Sequence, residues 1–396
     1  MKDNITKETM MTATQTLRHL GLYLTAALVT LACMPASAWD DRGRADDYQQ
    51  VNLVSDLPGV AILQDTNLVN AWGMSFSSTS PFWISDNGSG LSTLYAVTYD
   101  TNGVVQVAKQ GLEVGIPGEG NPTGQLFNGT GAFHTNLFIF ASEDGTISGW
   151  RGALGVQAEV LVSRSTAVYK GITLTTSNGE PILLAANFAE GTLDAYGTNL
   201  TLLAQFADPT APDGYAPFNV LSLGGMVFVT FAKQDAAKHD DVPGRGHGLI
   251  DVFNPETGVF HRFATGSDAR GKHPGGKHLR AIAEINSPWG LALAPTNFGV
   301  HADQLLVGNF GSGTIMSFDA NGEFRGLLEA EGSHERPIVI DGLWGLAFGN
   351  GGKAGRPGTL YFTAGPNGES NGLFGSLDPV VEPRPGKGHG RRHNND

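Results

Sequence analysis

Polar and indole side chains recur along the chain beside short apolar runs. They are Asn70 and Trp72, Asp86 and Asn87, Glu143 and Asp144, Tyr169 and Lys170, Asn187, and Asn219. The series continues with Lys233 and Asp235, Asn286 and Trp289, Asn309, Asp341 and Trp344, and Asn367. Two chemistries suit such a set. Carboxylate and amide oxygens gathered around one axis are hard ligands for a divalent cation such as calcium. Amides, carboxylates and indoles on one rim suit sugar hydroxyls, giving hydrogen bonds and a stacking platform. Asn and Asp also make turns with their own backbone, so only gathering on one face lifts them above that role.

The elements that would gather them are repeated. Val69 to Phe76, Ile285 to Leu293 and Asp341 to Phe348 each carry a Trp-Gly pair inside an apolar run. Each is followed by a strand-like run ending in polar turn residues, near 82, 305 and 360, and then by a third run. Weaker copies have second runs starting near 137, 182 and 227. Six units of four short strands predict an all-β fold, a six-bladed β-propeller. A spare strand over 48–54 is expected to complete the last blade and close the ring. In that geometry the turn into each inner strand and the turn after each second strand share one face. The residues above then line one channel mouth.

Composition agrees with a turn-dense β protein: 55 of 396 residues are Gly, and only 16% are charged. Lys2, Lys7 and Arg18 precede an apolar run from Leu20 to Met34, and Ala36-Ser37-Ala38 follows. This order predicts a secretory signal over 1–38 and a secreted or periplasmic protein. Lipid attachment at Cys33 is the lesser alternative. Cleavage removes the sole cysteine and leaves 22 basic against 36 acidic residues. Such an acidic chain argues against a nucleic-acid partner. The expected layout is a linker over 39–47, the propeller over 48–380 and a disordered basic tail over 381–396. No membrane partner is expected after cleavage, and the protein is expected to be a monomer.

An insertion from Gln234 to Gly248 holds Asp235, Lys238, His239, Asp240, Asp241 and His247. It reads as a solvated loop, or else as a lid or second metal site. Lys272, His273, Lys277 and His278 form a local basic patch. Gly368-Glu369-Ser370-Asn371-Gly372 matches the nucleophile-elbow pattern, but without a helix to follow it reads as a hairpin turn.

The Asn67 to Gly73 run, Ser85-Asp86-Asn87-Gly88, Ala232 to Asp235 with Lys238-His239-Asp240-Asp241, Asn286 to Ala292 and Leu360 to Gly375 resemble an exported bacterial family associated with PEP-CTERM sorting tails. That resemblance implies a propeller and export, and no activity. Residues 382–396 form a Pro-, Gly-, Arg- and His-containing tail that departs from the tailed members, so surface sorting is not expected. More distantly, the units are similar to NHL repeats and to six-bladed calcium lactonases of the gluconolactonase and senescence-marker type. This second resemblance implies an axial metal, with Asn187 and Asn309 at ligand positions and Asp86 and Asp144 nearby. The acidic residue that opens the first blade in those enzymes is replaced by Asn70 and Trp72. Two functions follow as expectations. The first is binding of a carbohydrate, polymer or protein through Asn70, Trp72, Asp86, Asn87, Tyr169, Asn219, Trp289, Trp344 and Asn367. The alternative is a calcium-dependent lactonase or hydrolase at the same mouth.

Overall fold

Runs of four to eleven apolar and β-branched residues separated by Gly, Asn and Asp turns leave little but strands to form. The computed structural model describes residues 47–266, 284–332 and 336–380. Among these residues every regular element longer than three residues is a strand. Four-stranded antiparallel blades follow one another over 71–115, 122–163, 169–206, 215–265 and 288–327. The sixth blade joins Leu343–Phe348, Leu360–Ala364 and Leu373–Pro379 to the N-terminal strand Asp47–Ser55. Tyr48 pairs with Pro379 and Ser55 with Leu373, so the two ends of the domain close the ring by hydrogen bonds. The chain is a six-bladed β-propeller. Its closing strand extends one residue beyond the predicted one at each end.

The Trp-Gly repeat has a physical reason. Each inner strand contacts the next, and the sixth contacts the first. In every inner strand the pairing register slips at the same place. The first residues inside the six slips are Trp72, Thr123, Lys170, Phe218, Trp289 and Trp344. A bulge leaves its residue unpaired and re-aims the side chain, here towards the axis. Trp72, Phe218, Trp289 and Trp344 accordingly form one buried cluster with Phe188 and Ala216. The glycine that follows lets neighbouring backbones meet. A Cβ on Gly73 would lie 2.5 Å from Thr123 O, and one on Gly290 would lie 2.5 Å from Trp344 O. In the fourth blade Asn219 takes that place and donates its Nδ2 to Trp289 O at 2.7 Å. The indoles therefore pack against one another on the axis.

Each third strand buries a polar residue: Thr93, Ser148, Asp194, Asp251, Ser317 and Ser376. Asp251 shares Arg262 with Asp208. Burial pushes the Asp251 carboxyl up to about 6, with Arg262 opposing and Asp208 adding to the rise. A carboxyl raised in the folded state binds its proton more tightly there than in the unfolded chain. The resulting stability is present at low pH and is lost as pH rises from about 4 to 6. Asp251→Asn removes this titration. Urea unfolding should show wild type losing about 3 kcal/mol relative to the variant across that window. A constant difference between the two proteins would show that Asp251 titrates normally.

The predicted signal and Cys33, the basic patch around Lys272 to His278, and the basic tail lie outside the described residues.

Candidate functional site

Backbone hydrogen bonds assemble the mouth. Asn87 N donates to Asn70 O, Glu143 N to Asn121 O, and Phe188 N to Val168 O. Gln234 N donates to Gly214 O, Phe310 N to Ser287 O, and Gly365 N to Gly342 O. The six second-strand ends thus sit against the turns leading into their inner strands, as the propeller geometry required. Two residues before each axial Trp the backbone is left-handed, at Asn70 (φ 47°), Ser287 (φ 48°) and Gly342 (φ 65°). This kink swings each chain from the mouth onto its inner strand.

Below the mouth the channel is plugged by aromatic rings. Trp344 stacks on Trp72 at 3.7 Å and on Phe310 at 3.9 Å, and Trp289 meets both indoles edge-on at about 6 Å. Trp72, Trp289 and Trp344 are each at most 5% exposed. Their faces are therefore spent on one another, and a ligand at the mouth cannot stack on them as expected from sequence. A cavity of about 40 Å³, lined by Gly73, Asn219, Trp289 and Gly345 among others, lies inside the ring. It has room for water but not for a sugar.

Above the plug runs a chain of polar groups. Trp344 Nε1 donates to Asn70 Oδ1 at 3.0 Å, and Asn70 Nδ2 donates to Glu369 Oε2 at 2.8 Å and to Asn87 Oδ1 at 3.2 Å. Asn87 Nδ2 then donates to Glu143 Oε2 at 2.9 Å. The other oxygen of Glu143 meets the ammonium of Lys170, which also reaches Asp240 at 3.1 Å. Lys170 Nζ lies 5.2 Å from the Trp72 ring centroid, a cation–π contact. Its side chain is 1% exposed. Burial would lower its pKa, but Glu143 and Asp240 outweigh burial and hold it above the ordinary lysine value. Lys170 is thus an ammonium and not a base. Burial pushes the Glu369 carboxyl up, with Asn70 opposing and Glu143 reinforcing the rise.

The insertion after the fourth blade's second strand forms part of this mouth. Gly244 N donates to Asn286 Oδ1 at 2.7 Å, Ser287 N donates to His247 O, and Gln234 Nε2 donates to Phe188 O. Asp240 extends from it to Lys170, and His239 Nδ1 lies 3.0 Å from Asp240 Oδ1. Asp241 is raised by burial, with Ser287 beside it opposing the rise.

The expected metal ligands are engaged elsewhere. Asn187 accepts from Val168 N and Glu190 N and donates to Asp194 and Glu190. Asn309 accepts from Asn286 N and donates to Thr314. Asp144 caps its own turn through Thr146 and also accepts from Glu119 N in the segment between the first two blades. Asp86 is fully buried inside its blade against Thr93 N, and burial pushes its pKa well up. Asn187, Asn309 and Asp144 thus spend their side-chain oxygens within or beside their own blades, while Asp86 is sealed inside its blade with Oδ1 left without a partner. Tyr169 likewise turns into the third blade, to Asp194 and Tyr196. Asn367 is exposed on the rim, where its N–H meets Asp341. Of the expected ligand-binding residues, the structure brings Asn70 and Asn87 together at the mouth. Asn219 serves the inner ring instead.

Sequence reading missed the roles of Glu369, Phe188, Phe310 and Asp240. Phe188 and Phe310 carry a signal, since both directly follow an Asn that ends a second strand. Glu369 sits in the hairpin turn predicted for the elbow-like motif, and its reach to Asn70 spans 299 residues of sequence.

No family model matches the chain. Two uncharacterized proteins of Acanthamoeba polyphaga mimivirus are similar in sequence. One is 27% identical, covering 83% of this chain and 80% of its own; the other is 26% identical, covering 83% and 86%. Among solved structures, the soluble aldose sugar dehydrogenase of Escherichia coli covers 84% of this chain and 100% of its own at 12% identity (TM-score 0.48). Virginiamycin B lyase of Staphylococcus aureus covers 84% and 99% at 13% identity (TM-score 0.46). Among the described residues no helix is long and apolar enough to cross a membrane.

Proposed function

We propose that this chain is an exported, non-catalytic propeller that binds a carbohydrate, polymer or protein ligand at its mouth. The observation that carries the reading is Lys170. A hydrolase at this mouth needs an accessible cation or a free base to activate water. The buried ammonium of Lys170 instead sits on Glu143 and Asp240, the carboxylates best placed for either task. The reading includes membership of the exported bacterial family that the motifs resemble, a secreted or periplasmic location and a monomeric state. Nucleic acid is not among the proposed partners.

One observation favours the second reading, a metal-dependent lactonase or hydrolase. Glu143, His239 and Asp240 place three possible ligand atoms within 4.8 Å of one another. A metal there would have to displace Lys170, and the side chains of Asn187 and Asn309 are already engaged. The test is a glycan and polymer array with the signal-free protein. It is run beside metal analysis, melting before and after chelation, and assays on lactones and esters. Retention of a ligand with a chelator-insensitive melting temperature is expected. Stoichiometric calcium, a reversible drop in melting temperature on chelation and lactone turnover would transfer the assignment to the hydrolase.

A further inference from the structure

Two features, one in the plug just below the mouth and one at the mouth itself, are not needed to hold the ring together. One is a pair of buried donors, Trp72 Nε1 and Trp289 Nε1, that have no hydrogen-bond partner. The other is Asp240, a carboxylate whose side chain is 64% exposed although the ammonium it touches is 1% exposed. We propose that Lys170 anchors a carboxylate of the ligand, and that Asp240 holds this anchor in the ligand's place. The proposal rests on the reading of the mouth as a binding site and names the chemistry of what binds.

The two partners of Lys170 differ in how firmly they are held. Glu143 is 10% exposed, and its second oxygen is fixed by Asn87. Asp240 has one other side-chain partner, His239, itself 45% exposed. The backbone around Asp240 is pinned. Asp235 N donates to Asp240 O at 2.8 Å, Val242 N donates to Lys233 O at 2.8 Å, and Gln234 bridges to Asp241. Exchange therefore asks only for rotation of one side chain, with the loop left in place. A ligand carboxylate would restore the charge balance that Asp240 now provides, so the buried ammonium would never be left with Glu143 alone. It would also bring further acceptor capacity to a region with unpaired indole donors, one of them on the ring 5.2 Å from the ammonium. Charge-assisted bonds of this kind are the strong ones.

The surroundings also limit the ligand. Glu369, Asp235, Asp241 and Asp341 belong to the same mouth, and the chain carries a net charge of −13. A second or third negative charge on the ligand would be repelled. The fitting class is a single carboxylate on an otherwise neutral, hydroxylated body, such as a terminal sugar acid. A polyuronate or an acidic peptide does not meet that condition.

The experiment titrates the signal-free protein with D-glucuronate, following tryptophan fluorescence. D-glucose, glucuronate methyl ester, oligogalacturonate and an acidic tetrapeptide are the comparison probes. Glucuronate is expected to bind at least about tenfold more tightly than glucose or the ester, in line with loss of one charge-assisted pair. Asp240→Ala should tighten glucuronate binding by about tenfold, and Lys170→Met should abolish the preference over glucose. Should Lys170→Met fail to fold, the exposed Asp240→Ala variant still decides the matter. Equal affinity for glucose and glucuronate would remove the carboxylate anchor while leaving a neutral-ligand mouth intact. Unchanged or weaker binding by Asp240→Ala, or no binding of glucuronate at all, would overturn the displacement. Tighter binding of oligogalacturonate or of the peptide would overturn the single-charge limit.

Discussion

Replacing Trp344 by alanine is expected to cost about 4 kcal/mol of stability, the largest loss from any single apolar truncation on the axis. The indole is 1% exposed and lies between Trp72 and Phe310, with Phe218 at 5.9 Å and Trp289 edge-on. Truncation to a methyl group leaves a void that the surrounding inner strands cannot close. Their spacing is fixed by backbone contacts at the Gly73 and Gly290 positions. It also strips Asn70 Oδ1 of its indole donor at 3.0 Å, and an acceptor left unpaired adds about 1–3 kcal/mol. Trp344→Phe separates the two contributions. It keeps most of the stack and loses the N–H, so about 1–2 kcal/mol is expected. Urea unfolding of the three proteins gives the numbers, with circular dichroism confirming that β structure survives. A loss below about 1 kcal/mol for the alanine variant would mean that the axis repacks, contrary to the close packing of such interiors.

The same stack shows how far the sequence reaches. Three Trp-Gly pairs and six second runs reveal the ring because each blade solves one local problem with the same residues. A side chain must leave the blade at a bulge, and the next residue must be small enough for the adjacent backbone. That solution is written within a few positions of each blade. Even the copies that lost the indole keep its trace, at Lys170-Gly171 and Phe218-Asn219. Partnerships across the ring have no such trace. Trp72 meets Trp344 and Asn70 meets Glu369 only after the ends of the domain have joined.

Asn187 and Asn309 teach a different lesson. An Asn ending a second strand can face the axis, or it can turn back to satisfy nearby N–H groups, and both choices have the same sequence. Val168 N and Asn286 N settle the choice in favour of the turn. Lys170 was legible as a mouth residue but not as an ion-pair centre. Its partner Asp240 is 70 residues away, in an insertion that a single blade's pattern cannot place.

Glu143→Gln is the second large effect, because it leaves the Lys170 ammonium buried with only the exposed Asp240 carboxylate. Breaking a buried pair by removing one partner typically costs about 3–5 kcal/mol, more than the pair itself contributes. Asp240 remains, so about 3 kcal/mol is expected here. Lys170→Met in the same background removes the stranded charge and fills the space between Trp72 and Phe188 with a flexible apolar chain. The double variant should therefore be more stable than Glu143→Gln alone by about 2 kcal/mol, although it carries one more substitution. Lys170→Met alone falls between them, because Glu143 keeps the amide of Asn87. The cycle is read by urea unfolding of four proteins near pH 7, where Lys170 stays charged. Additive costs, with the double variant the least stable of the four, would show that Lys170 and Glu143 are not coupled. The ammonium would then be solvated in solution, and neither its exclusion of a metal nor its role as a carboxylate anchor would stand.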